Sequence, residues 1–370
     1  KLFFDARYIR TDFHDGISRY STQLGNALAD LTKVTFLIHD QEQIKFLPSG
    51  AEFIKIHAPT SAKEPFTAMV LNRYNPDVVF SPMQTMGSID RRYKLILTTH
   101  DLIYYRHRTP PKTFSPAVRA GWFLYHLSYI PQRLSLNNAD MVATVSSTVM
   151  RELEQNRLTN KPIIVIPNAP QDLRQFVKKV STDKPANIVY MGSFMPYKNV
   201  ETLIKAMKWL PKHKLHLLSK ISDARIKELK QIIPKGAKVI FYNGISDEEY
   251  AKILADNAIL ASASLDEGYG LPVAEGIAMG VPAVISDIPI FHEVAAGGAL
   301  YFNPHQPKDF ADKVLELNNK SIRDQIISTG VKHMQTFSWD NSARSLLNAM
   351  RSLVSSDTIK EYGNKKEEVG

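Results

Sequence analysis

Two acidic residues open the chemistry. Glu267 and Glu275 are separated by seven residues in the stretch Ser262 to Gly298, SASLDEGYGLPVAEGIAMGVPAVISDIPIFHEVAAGG. Ionised carboxylates are strong hydrogen-bond acceptors, so such a pair suits the paired hydroxyls of a sugar. Between them run Gly268, Tyr269, Gly270 and Leu271, a turn whose backbone N–H groups can face an anion. Lys198, in the segment Gly192 to Asn199 (GSFMPYKN), and Lys220 are cations that could meet that anion, and Ser193 adds a hydroxyl. His100, followed by Asp101, is a ring that titrates near neutral pH. The chain has no cysteine, which excludes a thiolate nucleophile, disulfides and thiolate metal sites. Taken singly, each signal is weak. A bare E-x7-E is more often a polar turn before an amphipathic helix, a lone histidine is more often structural, and a lone lysine is usually a solvated charge.

The elements that must position these groups strengthen them. Ala258 to Ala261 is a short apolar run that reads as a buried strand. Pro272 suits the first turn of a helix, where a missing N–H is no loss. Gly280 and Pro282 stop that helix. Strand, glycine turn and helix N-terminus together present unpaired N–H groups and the positive end of a helix dipole, a place where a diphosphate fits. Further strands are read at Leu2 to Asp5, Val34 to Ile38, Asp77 to Ser81, Lys94 to Thr99, Ala139 to Ser147 and Ile163 to Ile166. More follow at Asn187 to Met191, Leu215 to Leu218, Val239 to Tyr242 and Ala299 to Phe302. Alternating with helices, they predict an α/β fold whose ligands bind at the carboxyl ends of the strands. Gly16, opening a helix that runs to about Leu31, permits close backbone approach to a phosphate or sugar. Ser246 and Glu249 form a capping box for a helix from Asp247 to Ala255.

The run EGYGLPVAEGIAMGVP, followed by Ser286-Asp287 and His292-Glu293-Val294, resembles the donor-site signature of glycosyltransferase family 4. His100-Asp101-Leu102-Ile103 resembles the family's HD-L-I loop. Ile166-Pro167-Asn168-Ala169 resembles its I-P-N-G element, and GSFMPYKN its G-x-x-x-P-R-K-N loop, with Tyr197 where arginine is usual. The resemblance spans most of the chain. It implies the GT-B architecture, two Rossmann-like domains facing across a cleft. The expected division is 1–170 as the acceptor-side domain, 171–186 as a hinge, 187–337 as the nucleotide-sugar domain, and 338–370 as a helix crossing back to the first domain with a charged, fraying end.

The resemblance also implies roles. His100, Glu267 and Lys198 are the catalytic candidates: His100 beside the transferred sugar, Glu267 on that sugar's hydroxyls, Lys198 on the departing diphosphate. Glu275 is placed on the ribose, and Asn243, Gly244 and Ile245 pass the nucleotide base through backbone atoms. Gly16, Ser193, Lys220, Gly268, Tyr269, Gly270 and Leu271 complete the donor site. Metal-dependent sugar transferases often use a D-x-D motif, and none occurs in this chain. The expectation is therefore a retaining, metal-independent transferase without a cofactor, whose donor substrate is GDP-mannose, or a UDP-sugar. The acceptor is expected to be a glycan or lipid-linked molecule of cell-envelope polysaccharide or glycolipid synthesis. An epimerase or hydrolase of sugar nucleotides, or a non-catalytic binding subunit, is the alternative.

A chain of 370 residues has room for two sizeable cores. Its formal net charge of +9 suggests an anionic partner. No recognised nucleic-acid module is present, so nucleic acid is not that partner. The lack of cysteine, of a secretory signal and of a membrane-spanning run fits a cytoplasmic protein, or one peripheral at the inner face of the membrane. Arg106 to Leu134 mixes basic residues with Phe114, Trp122, Phe123, Tyr125 and Tyr129. That composition suits contact with anionic lipid headgroups, or else one long helix with aromatics in the core and charges in water.

Overall fold

The computed structural model describes residues 1–12, 15–110 and 115–367, with side chains to residue 355. The chain divides into two compact units, Lys1–Asn168 with Ser338–Gly370, and Ala169–Phe337. Each is built on one parallel sheet.

The first unit holds β1 (Leu2–Asp5), β2 (Val34–Ile38), β3 (Glu52–Lys55), β4 (Val78–Ser81), β5 (Lys94–Thr99), β6 (Met141–Thr144) and β7 (Ile163–Val165). They lie in the order β3-β2-β1-β4-β5-β6-β7. A parallel sheet covered on both faces needs near-continuous apolar strands. The central ones supply them, with Phe4 packed between Phe36 and Phe80. Sequence order reverses between β1 and β4, and in such sheets that switch point is where ligands bind. The helix Gly16–Leu31 follows β1, and the Asp15 side chain caps it by accepting from the Ser18 N–H.

The second unit holds β8 (Asn187–Tyr190), β9 (Lys214–Leu217), β10 (Lys238–Phe241), β11 (Ala258–Ser262), β12 (Ala283–Ser286) and β13 (Leu300–Phe302), in the order β10-β9-β8-β11-β12-β13. Its switch point lies between β8 and β11. The last helix, Trp339–Glu367, packs on the helix Gly16–Leu31 and on β4 and β5, all of the first unit. Trp339 meets Tyr20 edge-on, and the Ser342 hydroxyl donates to the Pro167 carbonyl. This is the GT-B pattern of two Rossmann-like units with a returning C-terminal helix.

The stretch 171–186, expected as a hinge, is packed on the second unit. Leu173 is buried, Arg174 donates to the Met279 carbonyl, and Ser181 bridges Asp256 as an isolated strand pair. Arg106 to Leu134 is not one helix. Prolines at first-turn positions start separate helices at Pro116–Tyr125 and Ile130–Asn137, while Lys112 and Phe114 lie outside the described residues. The last helix is described through Glu367, and 368–370 lie outside the described residues. Among the described residues no helix is long and apolar enough to cross a membrane.

Candidate functional site

The two loops at the switch point of the second unit meet through a charged contact. The loop after β8 carries Lys198, and the loop after β11 carries Glu267. Lys198 Nζ donates to Glu267 Oε1 at 2.5 Å, with both side chains largely buried. Ser264 Oγ donates to the same oxygen at 2.8 Å. Tyr197, standing where the family motif has arginine, places its ring 5.3 Å from the Lys198 ammonium, a cation–π contact. Its carbonyl accepts from the Leu265 N–H at 2.8 Å, stitching the loops together. Asn199 completes the junction. It is left-handed at φ 50°, and its side chain donates to the carbonyls of Ala263 and Pro304.

The glycine turn has the form the spacing predicts. Gly270 caps the helix Leu271–Met279 at φ 93°, a conformation that disfavours any side chain. A Cβ there would lie 2.7 Å from the Phe291 ring. Gly270 brings no side chain to cap this helix, Pro272 has no N–H, and the Val273 N–H donates to the Gly270 carbonyl at 2.9 Å, so the N–H groups that can face an anion are those of Gly270 and Leu271. Glu275, one turn along, is only 2% exposed. Tyr269 is buried edge-on to Phe337, so any part it takes toward a ligand falls to its backbone.

A second pair of loops carries the remaining donor candidates. The Asn243 side chain accepts from the Ile221 N–H at 3.0 Å, and the Gly244 N–H donates to the Leu218 carbonyl at 2.9 Å. The Asn243–Ile245 turn is thus tied to the loop bearing Lys220, whose stem packs over Gly244. Ser193 is exposed, and its carbonyl accepts from the Tyr190 hydroxyl. Lys198, Glu267, Gly268, Tyr269, Gly270, Leu271 and Glu275 are therefore gathered at one strand-end junction of the second unit. Lys220 and Asn243 to Ile245 follow the neighbouring strands β9 and β10. Among the described residues no group of three or more His, Asp or Glu is placed to hold a metal ion.

His100 and Gly16 belong to the first unit. His100 follows β5, and its Nε2 lies 2.8 Å from the Pro82 carbonyl, at the end of β4. A carbonyl only accepts, so Nε2 carries the proton and Nδ1 is left as an acceptor in the neutral ring. Tyr20 packs edge-on to the ring. Burial lowers the His100 pKa below the ordinary imidazole value, against the opposing pull of the Pro82 hydrogen bond and the Asp15 charge. Gly16 is the exposed first residue of its helix.

Sequence reasoning passed over three groups. Ser264 was hidden as one serine of a strand end. Gln84 accepts from Thr99 and Gln132 close to the His100 loop. Arg7 lies just after the first strand, in a stretch whose polar composition reads as a loop. It is fully buried, donating to Asp5 at 2.8 and 3.0 Å and to Glu64 at 2.7 and 2.9 Å. Burial works against the guanidinium charge, but the two carboxylates outweigh it and raise the pKa above its ordinary value. The only signal was an acid two residues before the arginine at the end of a strand.

A pH dependence follows from the histidines. Burial lowers the pKa of His39, His100, His126, His213 and His216. For each, the folded value lies below the unfolded one. The unfolded chain then binds more protons as pH falls, so the stabilisation is full above the unfolded pKa and is lost below it. Thermal melts should drop in temperature as pH falls from about 7.5 to about 5.5, and His100→Gln, which keeps a donor for Pro82, should make that drop shallower. A melting temperature flat across that range would contradict the assignment of neutral buried rings.

Comparison with known proteins agrees with this geometry. The model of glycosyl transferases group 1 matches residues 171–334, and that of glycosyltransferase family 4 matches residues 14–169. The chain has the GT-B fold and is related to the group 1 and family 4 glycosyltransferases, and the two matches meet where the two structural units meet. The O-antigen chain mannosyltransferase RfbU of Salmonella typhimurium is 28% identical over 59% of this chain and 59% of its own length. The O-antigen chain mannosyltransferase B of Escherichia coli is 26% identical over 59% of this chain and 62% of its own. This GT-B chain thus spans about three-fifths of the length of these curated relatives. The sucrose-phosphate synthase of Thermosynechococcus elongatus superposes with a TM-score of 0.75 at 17% identity, covering 96% of this chain and 99% of its own, a likeness of fold.

Proposed function

We propose that the protein is a retaining transferase that moves a hexose from a nucleoside diphosphate sugar to a glycan or lipid-linked acceptor. The reading rests on the Lys198–Glu267 pair at the switch point, beside the open N-terminus of the helix Leu271–Met279. The hard step is departure of the diphosphate while positive charge grows on the anomeric carbon. The N–H groups at Gly270 and Leu271, the helix dipole and Lys198 stabilise the leaving charge without needing a metal ion. Each such preorganised donor is worth roughly a few kcal/mol in the transition state. Glu267 accepts from hydroxyls of the transferred sugar, and Glu275 from the ribose. His100, through its free Nδ1 lone pair, accepts from a sugar hydroxyl. Backbone atoms of Asn243, Gly244 and Ile245 are assigned to the base and Lys220 and Ser193 to the diphosphate, and Gly16, in the first unit, keeps the donor-site role that the sequence resemblance implies. Retention follows if the acceptor attacks on the face the diphosphate leaves, with a leaving-group oxygen taking the proton.

Mannose from GDP-mannose is the donor we favour, because two relatives matched over more than half of this chain carry mannosyltransferase names. Their names also point to an O-antigen-like, lipid-linked acceptor, which would place the reaction at the cytoplasmic face of the membrane. Tyr197 favours a non-catalytic binding subunit as the second reading, since the usual arginine is missing. The ring beneath Lys198 answers it in part, by supporting the cation that remains.

The test is a thermal-shift series with GDP, UDP, ADP and their sugar conjugates, with and without magnesium. At about a hundred times its dissociation constant a ligand adds about 2.7 kcal/mol of stability. Protection by GDP compounds without magnesium, followed by transfer to acceptor, is the expected result. Protection by none removes the donor site. Donor turnover without acceptor favours an epimerase or hydrolase, and protection without turnover favours the binding subunit.

A further inference from the structure

The loop after β4 carries a side chain that is held more firmly than packing requires. Beyond Ser81 the chain runs through Pro82, Met83, Gln84 and Thr85. Gln84 Oε1 accepts from the Thr99 hydroxyl at 3.0 Å and from Gln132 Nε2 at 2.8 Å. Thr99 ends β5, Gln132 lies on the helix Ile130–Asn137, and both are buried. The same helix also reaches the backbone, where the Ser135 hydroxyl donates to the Gln84 carbonyl. On the other flank the Thr85 hydroxyl is bonded at 2.7 Å to the hydroxyl of Tyr8, from the turn after β1. Elements on both sides thus fix two adjacent residues of one short loop.

Two donors on Oε1 set which way the amide points. The oxygen faces the sheet and the helix, and Nε2 is the other end. Among the described residues Gln84 Nε2 is neither buried nor bonded to another group of the chain, so its N–H groups are open to a ligand. The arrangement has a cost at Gln132. Its Nε2 serves Gln84, and its Oε1 is buried without a donor. Buried polar atoms in native chains nearly all have partners, and an exception calls for an explanation. A leucine at 132 would fasten the helix to the sheet without stranding an oxygen. Holding the Gln84 amide in one orientation, by contrast, needs a donor at that place. His100 belongs to the same pair of strand ends: its Nε2 donates to the Pro82 carbonyl, two residues before Gln84, and Nδ1 is left as an acceptor. Neither group carries charge, since burial keeps the ring neutral. One fixed donor and one fixed acceptor, both neutral, match the hydroxyls of a sugar rather than an anion.

We propose that Gln84 is a specificity-determining residue for the acceptor: its Nε2 donates to a hydroxyl oxygen of a carbohydrate seated at the carboxyl ends of β4 and β5, and Gln132 is the positioning residue that holds the amide for it. The inference rests on the transferase reading and supplies an acceptor contact to it. A donor fixed in this way discriminates. An acceptor that lacks the matching hydroxyl leaves the Gln84 N–H groups without a partner in the complex, and such a mismatch is rejected more strongly than the mere loss of a contact. Gln132 acts only through Gln84, by raising the fraction of chains whose amide is ready for the acceptor.

The experiment is steady-state transfer by the full chain to the octyl glycosides of mannose, glucose, galactose and N-acetylglucosamine, and then to the monodeoxy forms of the one used best. For the parent, removal of one particular hydroxyl should lower acceptor kcat/KM by about tenfold or more. Gln84→Leu with Gln132→Leu replaces both partners of a hydrogen bond by apolar groups, which keeps the fold. In that double variant the full glycoside should lose about tenfold in kcat/KM and become no better than its deoxy form. Gln132→Leu alone leaves Thr99 on Gln84 and removes a stranded oxygen, so it should melt no lower than the parent. It should raise the acceptor KM by about threefold, with donor KM and nucleotide-induced thermal shifts unchanged. A lower melting temperature with acceptor discrimination intact would assign the glutamines to fastening the helix and overturn the inference. A double variant that still discriminates, or a parent that uses every deoxy form equally, overturns it too. Protection by a nucleotide with no glycoside used overturns the inference alone, whereas no protection and no transfer overturns the transferase reading with it.

Discussion

Lys198→Ala is expected to lower the turnover of donor and acceptor by about tenfold or more, with a smaller loss in nucleotide affinity. The ammonium is held by Glu267 at 2.5 Å, which positions the lysine at the strand-end junction. A diphosphate entering beside the helix N-terminus brings a second anion to the same cation. As the glycosidic bond breaks, negative charge on that anion grows, and an interaction that strengthens along the reaction acts on kcat. Glu267→Gln should also lower kcat by about tenfold or more, because the amide keeps the shape but loses charge complementary to the sugar carbon. The two effects should not add. Each variant disturbs the same contact, and a double variant should fall well short of the product of the singles. Steady-state kinetics at saturating donor, with thermal shifts by nucleotide run alongside, separate the steps. Unchanged turnover in both single variants would remove these residues from the reaction.

The contact itself could not be read from sequence. Lys198 and Glu267 become neighbours only because β8 lies against β11, and nothing in either loop announces that order. What was legible was local. Continuous apolar runs marked the buried strands, Gly270 and Pro272 marked the start of the signature helix, and Ser246 with Glu249 marked a capping box that the structure contains. Local signals also explain the misses. β3 escaped because it is an edge strand whose residues are mostly exposed, leaving no apolar run. β12 and the helix Pro289–Ala295 were read as part of the signature rather than as elements, since glycine and proline crowd their borders. The segment 171–186 looked polar and was expected as a hinge; Leu173 and the backbone at Ser181 tie it to the second unit, and such ties are invisible in composition.

Arg7→Ala is expected to cost about 3–5 kcal/mol of stability, the range for breaking a buried ion pair by removing one partner. Asp5 and Arg7 are fully buried, Glu64 nearly so, and the guanidinium binds both carboxylates in paired fashion. Without it two acids would face each other in an apolar interior, and one would have to take up a proton or draw in water. His57, with Nε2 at 3.2 Å from Glu64, is too few charges to replace the arginine. The loss reaches the site by a short path. The Ser81 hydroxyl donates to Asp5 at 3.1 Å, and the next residue, Pro82, supplies the carbonyl that orients His100. Arg7→Ala should therefore lower transfer even at temperatures where the chain is folded. Arg7→Met with Glu64→Gln should recover part of the stability, because it removes a stranded charge together with its partner. Urea denaturation of the single and double variants, read against activity of the folded fraction, gives both answers. A single variant as stable as the parent would mean that water reaches the cluster and that the arginine positions nothing. A double variant no better than the single would place the loss in the Asp5 carboxylate, which both variants leave unpaired.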